Sequence, residues 1–238
     1  LQALTVIALK RGAYLAEALG DADTAELVRG KAHKASQCRR PFTYSKQATA
    51  LLVIAGMMSP HQANERVLSV DPHRGLSTFY GLYILQARAM AGDIQGCLEL
   101  IRHYWGGMLQ MGATTFWEHF ELDWMSGATP IDTLPEPGKA DIHGDFGDHC
   151  YRGHRHSLCH GWAAGPTAWL SEHVLGITPV EPGFRCVRLD PQLGGLEWAR
   201  GSVPTPYGPI MVEHRRSEDG SVESEIEMPE GIEVAEQN

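Results

Sequence analysis

The chain has 238 residues and a mass of 26.2 kDa, enough to bury a substantial core in one large domain or two modest ones. Hydrophobic residues make up 43% and charged residues 21%, the proportions of a globular chain and not of a disordered one. A net charge of -9 argues against a basic nucleic-acid surface, and no apolar run approaches the roughly 20 residues of a membrane helix.

Most of the charge is local. Nine acids and two Arg fall between Glu213 and Glu236, and the rest of the chain is close to neutral. A solvated strand face is the expected place for them. The opening stretch, LQALTVIALKRGAYLAEALG, lacks a basic start and a small-residue cleavage site, so a signal peptide is not expected. The five Cys are odd in number and form no CxxC pair, and there is no N-x-[ST] sequon. Reduced thiols and a cytoplasmic setting are the simpler expectation.

Taken in order, the first 111 residues read as helices in pairs. Leu1, Leu4, Ile7, Ala8, Leu15 and Leu19 keep helical spacing up to Gly20-Asp21. A more polar helix covers about 23–37. A third starts at Ser45 as its N-cap, and a fourth at Ser59-Pro60, with proline in the first helical position. A fifth follows Ser77 and a sixth follows Asp93. The short connections predict antiparallel hairpins. Residues 112–156 show no sustained period and many aromatics, and are expected to form loops over a site. Residues 157–175 return to helix, with Ser157 as cap and a kink at Gly165-Pro166. From Gly176 the pattern becomes short β-type runs, FRCVRL, GPIMVEHRR and SVESEIEM, separated by turn signals, with Asp219-Gly220 placed for a hairpin.

Two clusters could carry chemistry. In GATTFWE, Glu118 stands among aromatics, an arrangement suited to carbohydrate chemistry because aromatic faces pack on sugar rings and apolar walls tune a carboxyl group. The alternative is a Glu in the first turn of a helix, started by Thr114 or Thr115. The second cluster is His143, Asp145, Asp148, His149, Cys150, His154, His156, Cys159 and His160. It reads as a metal site, a sugar-binding loop or a surface loop, and its spacing fits no familiar metal motif. His160 differs from the rest in lying beside Gly161 and Trp162 near the start of an apolar helix. Trp105 is expected in the core. P-loop, GxGxxG and GxSxG motifs are absent.

Three blocks carry a resemblance: WGGMLQMGATTFWEHF, SLCHGWAAGPTAWLSEHVLGITPVEPGF and GGLEWARGSVPTPYGPIMVEHRR. In order and spacing they resemble the C-terminal half of a bacterial alpha-L-rhamnosidase. With SKQATALLVIAGM and STFYGLYILQARAMAGD, the likeness covers nearly the whole chain. It implies a mainly α chain with appended β structure: part of an (α/α)6 six-hairpin glycosidase barrel, then a C-terminal antiparallel β-sandwich. It also implies inverting release of terminal alpha-L-rhamnose; no cofactor is expected, and no metal, since the His-rich spacing fits no familiar metal motif. Glu118 would be the general base, His160 a sugar contact, and Trp117 and Trp162 lining residues. The family's general acid lies in an acidic loop in the first half of the barrel, and no such block is found here. Seven helical stretches are legible where six hairpins need twelve. Residues 1–176 are therefore expected to be the second half of the barrel and 177–238 the sandwich. The exposed apolar faces would be covered by the upstream half or by a second copy. The competing expectations are a non-catalytic carbohydrate-binding or assembly module and a metal-dependent hydrolase.

Overall fold

Short polar side chains set the helix ends in the computed structural model, which describes residues 1–37, 43–127, 129–134, 136 and 157–235. Helix α1 (Gln2–Ala18) ends at Gly20, whose φ of 80° turns the chain while Asp21 N–H returns to Ala16 O at 2.9 Å. The Asp21 carboxylate then accepts from Thr24 N–H at 3.0 Å and starts α2 (Ala22–Ser36). That bond holds the Asp21 carboxyl below its ordinary range. Ser45 caps α3 (Lys46–Ile54) through Ala48 N–H. Pro60 opens α4 (Pro60–Ala63), which runs into a π turn at Asn64–Leu68. Two longer helices follow, α5 (Thr78–Ala89) and α6 (Ile94–Gln110).

The chain forms two compact units. One holds Leu1–Asp71 with Tyr83–Asp93, and the other Pro72–Leu82 with Ile94–Asn238. In the first, α1 and α2 pack as the expected hairpin around Val6, Ala13 and Ala25. Buried Arg88 is neutralised by Asp93 at 2.7 Å, as a charge removed from water requires. Leu15, Leu19 and Leu27 remain exposed on these helices.

The second unit is built on large aromatics. Tyr104, Trp117, Phe120 and Trp169 are almost fully buried. Two three-stranded sheets follow the helices. One contains β1 (Ile177–Pro179), β2 (Cys186–Leu189) and β6 (Glu233–Val234); the other contains β3 (Trp198–Thr205), β4 (Gly208–Arg216) and β5 (Val222–Glu227). The β4–β5 hairpin closes at the expected Asp219-Gly220, where Gly220 has φ 88° and Asp219 accepts from Ser221 N–H. All of β5 is exposed, as the acidic run predicts.

Three features depart from expectation. The β2–β6 pair is parallel, because the chain crosses from one sheet to the other before β6 and enters in the same direction as β2. Strand β3 contains Gly201 and Pro204, which read as turn residues. As an edge strand it tolerates the proline, and a Cβ at Gly201 would lie 2.5 Å from Leu175 Cδ1. Residues 157–175 are not one kinked helix. Pro166 begins a helix, α7 (Gly165–Trp169), which continues as a π turn over Leu170–Val174, while Gly161–Ala163 form a separate 3-10 turn.

Sheet and helix also meet around residues 175 and 176. His214 on β4 is fully buried, with Nε2 3.1 Å from Leu175 O and Nδ1 2.8 Å from Ser224 Oγ. A carbonyl only accepts, so Nε2 carries a proton and donates to Leu175 O. Just beyond, Gly176 has φ 69° and a Cβ there would sit 2.2 Å from the Asp190 carbonyl carbon. Gly176→Ala is expected to cost about 3 kcal/mol or more in urea unfolding, combining left-handed strain with a backbone clash. Gly183→Ala is the control: its φ is 87° but nothing lies within 4 Å, so only about 1–2 kcal/mol should be lost.

Candidate active site

Glu118 does not stand in the first turn of a helix. Gly112, at φ 84°, ends α6, and the chain then runs without regular structure to a 3-10 turn at Leu122–Ser126. Over this stretch it lies alongside residues 157–160. Glu118 N–H donates to Ser157 O at 2.8 Å, His160 N–H donates to Phe116 O at 2.8 Å, and Thr115 Oγ1 donates to Leu158 O. Each segment thus satisfies main-chain groups that a helix would otherwise have used. Ser157, expected as a helix cap, serves here instead.

The carboxylate of Glu118 is held asymmetrically. Its Oε2 accepts from Ser157 N–H at 2.9 Å. Among the described residues nothing bonds Oε1, and about a third of the side chain is open to solvent. His160 Nδ1 lies 3.9 Å from Oε2, too far for a hydrogen bond but close enough to attract the carboxylate when the ring is protonated. The main-chain carbonyl of Glu118 accepts twice, from Thr78 Oγ1 and from Trp162 Nε1 at 3.1 Å. The Trp162 ring packs on His160 with centroids 4.1 Å apart and on Phe79 at 5.6 Å.

Of the four residues picked from sequence, Glu118, His160 and Trp162 converge on one surface. Trp117 does not. It is fully buried with its ring 5.9 Å from Phe120, so it supports the segment from beneath and offers no face to a ligand. Tyr104 supports the same segment: its hydroxyl donates to Phe120 O at 2.5 Å, and burial pushes the phenol far above its ordinary range. Thr78 and Ser157 were missed as site residues. Ser157 acts through its peptide N–H, which no side-chain pattern reveals, and Thr78 reads as one more polar residue at a helix start.

Trp105 is in the core as expected, its indole N–H donating to Ala163 O at 2.9 Å. A neighbouring cavity of about 670 Å³ is walled by Trp105, Leu109, Phe116, His160, Pro166 and Leu170. Glu118 is not part of its wall, so this cavity and the carboxylate are separate features, with His160 at both. His143, Asp145, Asp148, His149, Cys150, His154 and His156 lie outside the described residues. Among the described residues, no group of three or more His, Cys, Asp or Glu could hold a metal ion. No described helix is long and apolar enough to cross a membrane.

Residues 176–235 match the family described as bacterial alpha-L-rhamnosidase C-terminal domain. Over 53 residues the chain is 43% identical to an alpha-L-rhamnosidase of Alteromonas sp. (strain LOR), a stretch that covers 22% of this chain and 6% of that protein. A solved GH78-family rhamnosidase of Bacillus sp. GL1 superposes with a TM-score of 0.71 and 25% identity, covering 96% of this chain and 25% of that one. The chain resembles the alpha-L-rhamnosidases. The alpha-L-rhamnosidase of Streptomyces avermitilis, solved in complex with L-rhamnose, shares the fold at a TM-score of 0.71 and 18% identity, with 98% and 22% covered. The chain thus spans about a quarter or less of the length of these rhamnosidases.

The aromatic layer beneath the Glu118 segment has a measurable role. Tyr104→Phe leaves the buried Phe120 carbonyl without its donor and should lower stability by about 1–2 kcal/mol in urea unfolding, with the fold retained by circular dichroism.

Proposed function

We propose that this chain is the later part of an inverting alpha-L-rhamnosidase, with Glu118 as general base. Residues 1–176 correspond in this reading to the second half of the six-hairpin barrel and 177–238 to the C-terminal β-sandwich. The observation that carries it is the asymmetry of the Glu118 carboxylate. Oε2 is anchored by Ser157 N–H, Oε1 has no hydrogen-bond partner among the described residues, and His160 and Trp162 stand beside the group. The likeness to rhamnosidases, one of them solved with L-rhamnose, supports the choice of sugar.

The chemistry follows from that geometry. A water on the face of the sugar opposite the leaving group gives its proton to Oε1 as its oxygen bonds the anomeric carbon. The bond to the leaving oxygen breaks at the same time, and a carboxylic acid protonates that oxygen. Base and acid stand about 6.5–9.5 Å apart so that the water fits between them. The acid is assigned to the earlier half of the barrel. Among nearer carboxylates, Glu121 is engaged with His119 at 3.3 Å. Asp123 lies exposed in the 3-10 turn after it. The same earlier half would cover Leu15, Leu19 and Leu27 of α1 and α2. His160, partly open, is placed to bond a sugar hydroxyl, and Trp162, 48% exposed, retains apolar surface for a ring face.

The test is hydrolysis of p-nitrophenyl alpha-L-rhamnopyranoside by the enzyme with the upstream half of the barrel supplied. Glu118→Gln should lower kcat by about 10²–10⁴-fold, and NMR should show the inverted anomer released by the parent enzyme. Full activity in Glu118→Gln would remove Glu118 from the base role. Rhamnose binding without turnover in the parent protein would mark a carbohydrate-binding module instead.

A further inference from the structure

A buried hydroxyl far away in sequence is spent on the backbone of Glu118. Thr78 is the first residue of α5 and is 1% exposed. Its Oγ1 donates to the Glu118 carbonyl, 40 positions further along the chain. A hydroxyl without a partner would be costly at that depth, so burial itself enforces the bond. The β-branched side chain has few χ1 choices, which fixes the direction from which the hydroxyl approaches.

The second lone pair of the same carbonyl is taken by Trp162 Nε1 at 3.1 Å. The peptide group on the other side of Glu118 is fixed as well, by the 2.8 Å bond from its N–H to Ser157 O. Both peptide planes flanking the residue therefore have one orientation, and with them the direction of its Cα–Cβ bond. Once Oε2 is tied to Ser157 N–H, the free oxygen faces one way. Remove Thr78 Oγ1, and one of the two donors that orient the 118–119 peptide is gone.

We infer that Thr78 is a positioning residue: through the Glu118 carbonyl it sets where Oε1 meets the attacking water. This rests on Glu118 being the base. A purely structural Thr78 would affect stability alone, whereas a positioning one affects kcat with KM preserved, because misplacing a catalytic group costs rate rather than ground-state binding.

The experiment uses the rhamnosidase with the upstream half supplied and p-nitrophenyl alpha-L-rhamnopyranoside as probe. Thr78→Val keeps the shape and loses the donor, and should lower kcat about 10- to 100-fold with KM within about 2-fold. Thr78→Ser restores the hydroxyl and should return kcat to within about 3-fold, even though it loses a buried methyl. Should Thr78→Val fail to fold, Thr78→Cys, with its weak S–H donor, should give a kcat between that of Thr78→Ser and complete loss of activity. In the 238-residue chain itself, Thr78→Val should shift the Ser157 amide resonance, which reports on the bond to Oε2, and Thr78→Ser should restore it. Unchanged kcat in Thr78→Val, or Thr78→Ser as slow as Thr78→Val, overturns the positioning role while a dead Glu118→Gln leaves the base assignment standing. Full activity in Glu118→Gln overturns both.

Discussion

The pairing of residues 115–118 with 157–160 is the constraint on which the site depends. Neither segment is helix or sheet. Each supplies main-chain groups that the other completes, at 2.8 Å from Glu118 N–H to Ser157 O and from His160 N–H to Phe116 O. The two most chemically interesting residues of the chain, a carboxylate and an imidazole, are brought together by these bonds and not by direct attraction. At 3.9 Å the His160–Glu118 contact is too long to hold the geometry alone. Beneath the pairing lies a floor of aromatics. Trp117 and Phe120 turn inward and Tyr104 donates to Phe120 O. Along 116–120, Trp117 and Phe120 face the core while Phe116, Glu118 and His119 stay partly exposed.

The two oxygens of Glu118 have different surroundings, and the difference is chemically useful. An anchored oxygen costs little reorganisation when the charge on the group changes, because its donor is a peptide N–H fixed at 2.9 Å. Among the described residues, nothing bonds the other oxygen. Trp162 shows a similar economy. Its indole N–H is used on Glu118 O, its ring packs on His160 and Phe79, and about half its surface is still exposed.

Much of the fold was legible in the sequence where local chemistry decides it. Ser45 and Pro60 each begin a helix as their side chains require, and Asp219-Gly220 closes its hairpin. Glu118, His160 and Trp162 were also within reach, by resemblance more than by spacing. What escaped was set by tertiary contact. Gly201 and Pro204 argue locally against the strand they occupy, which an edge position and the crowding of Leu175 make possible. Residues 157–160 look helical, yet the N–H groups of Ser157 and His160 go to Glu118 and Phe116. Trp117 and Trp162 look alike on paper, and only packing tells which ring lies inside. Thr78 lies 40 positions from the residue it bonds, beyond the reach of any short pattern.

The buried imidazole of His214 bears on how this architecture can be recombined. A change in sequence style near residue 176 invites the view that the β region is a cassette to be exchanged between proteins. Yet the Leu175 carbonyl is received by His214, the Leu175 side chain fills the space left by Gly201, and Gly176 lies against Asp190. These contacts straddle the apparent seam within a single compact unit. A transplanted sheet would have to bring a matching donor for the Leu175 carbonyl and a matching hollow for its side chain, and would need a bare backbone at 176 on the helical side. Helical end and sheet would have to be moved together, and residues 174–176 are a poor place to cut.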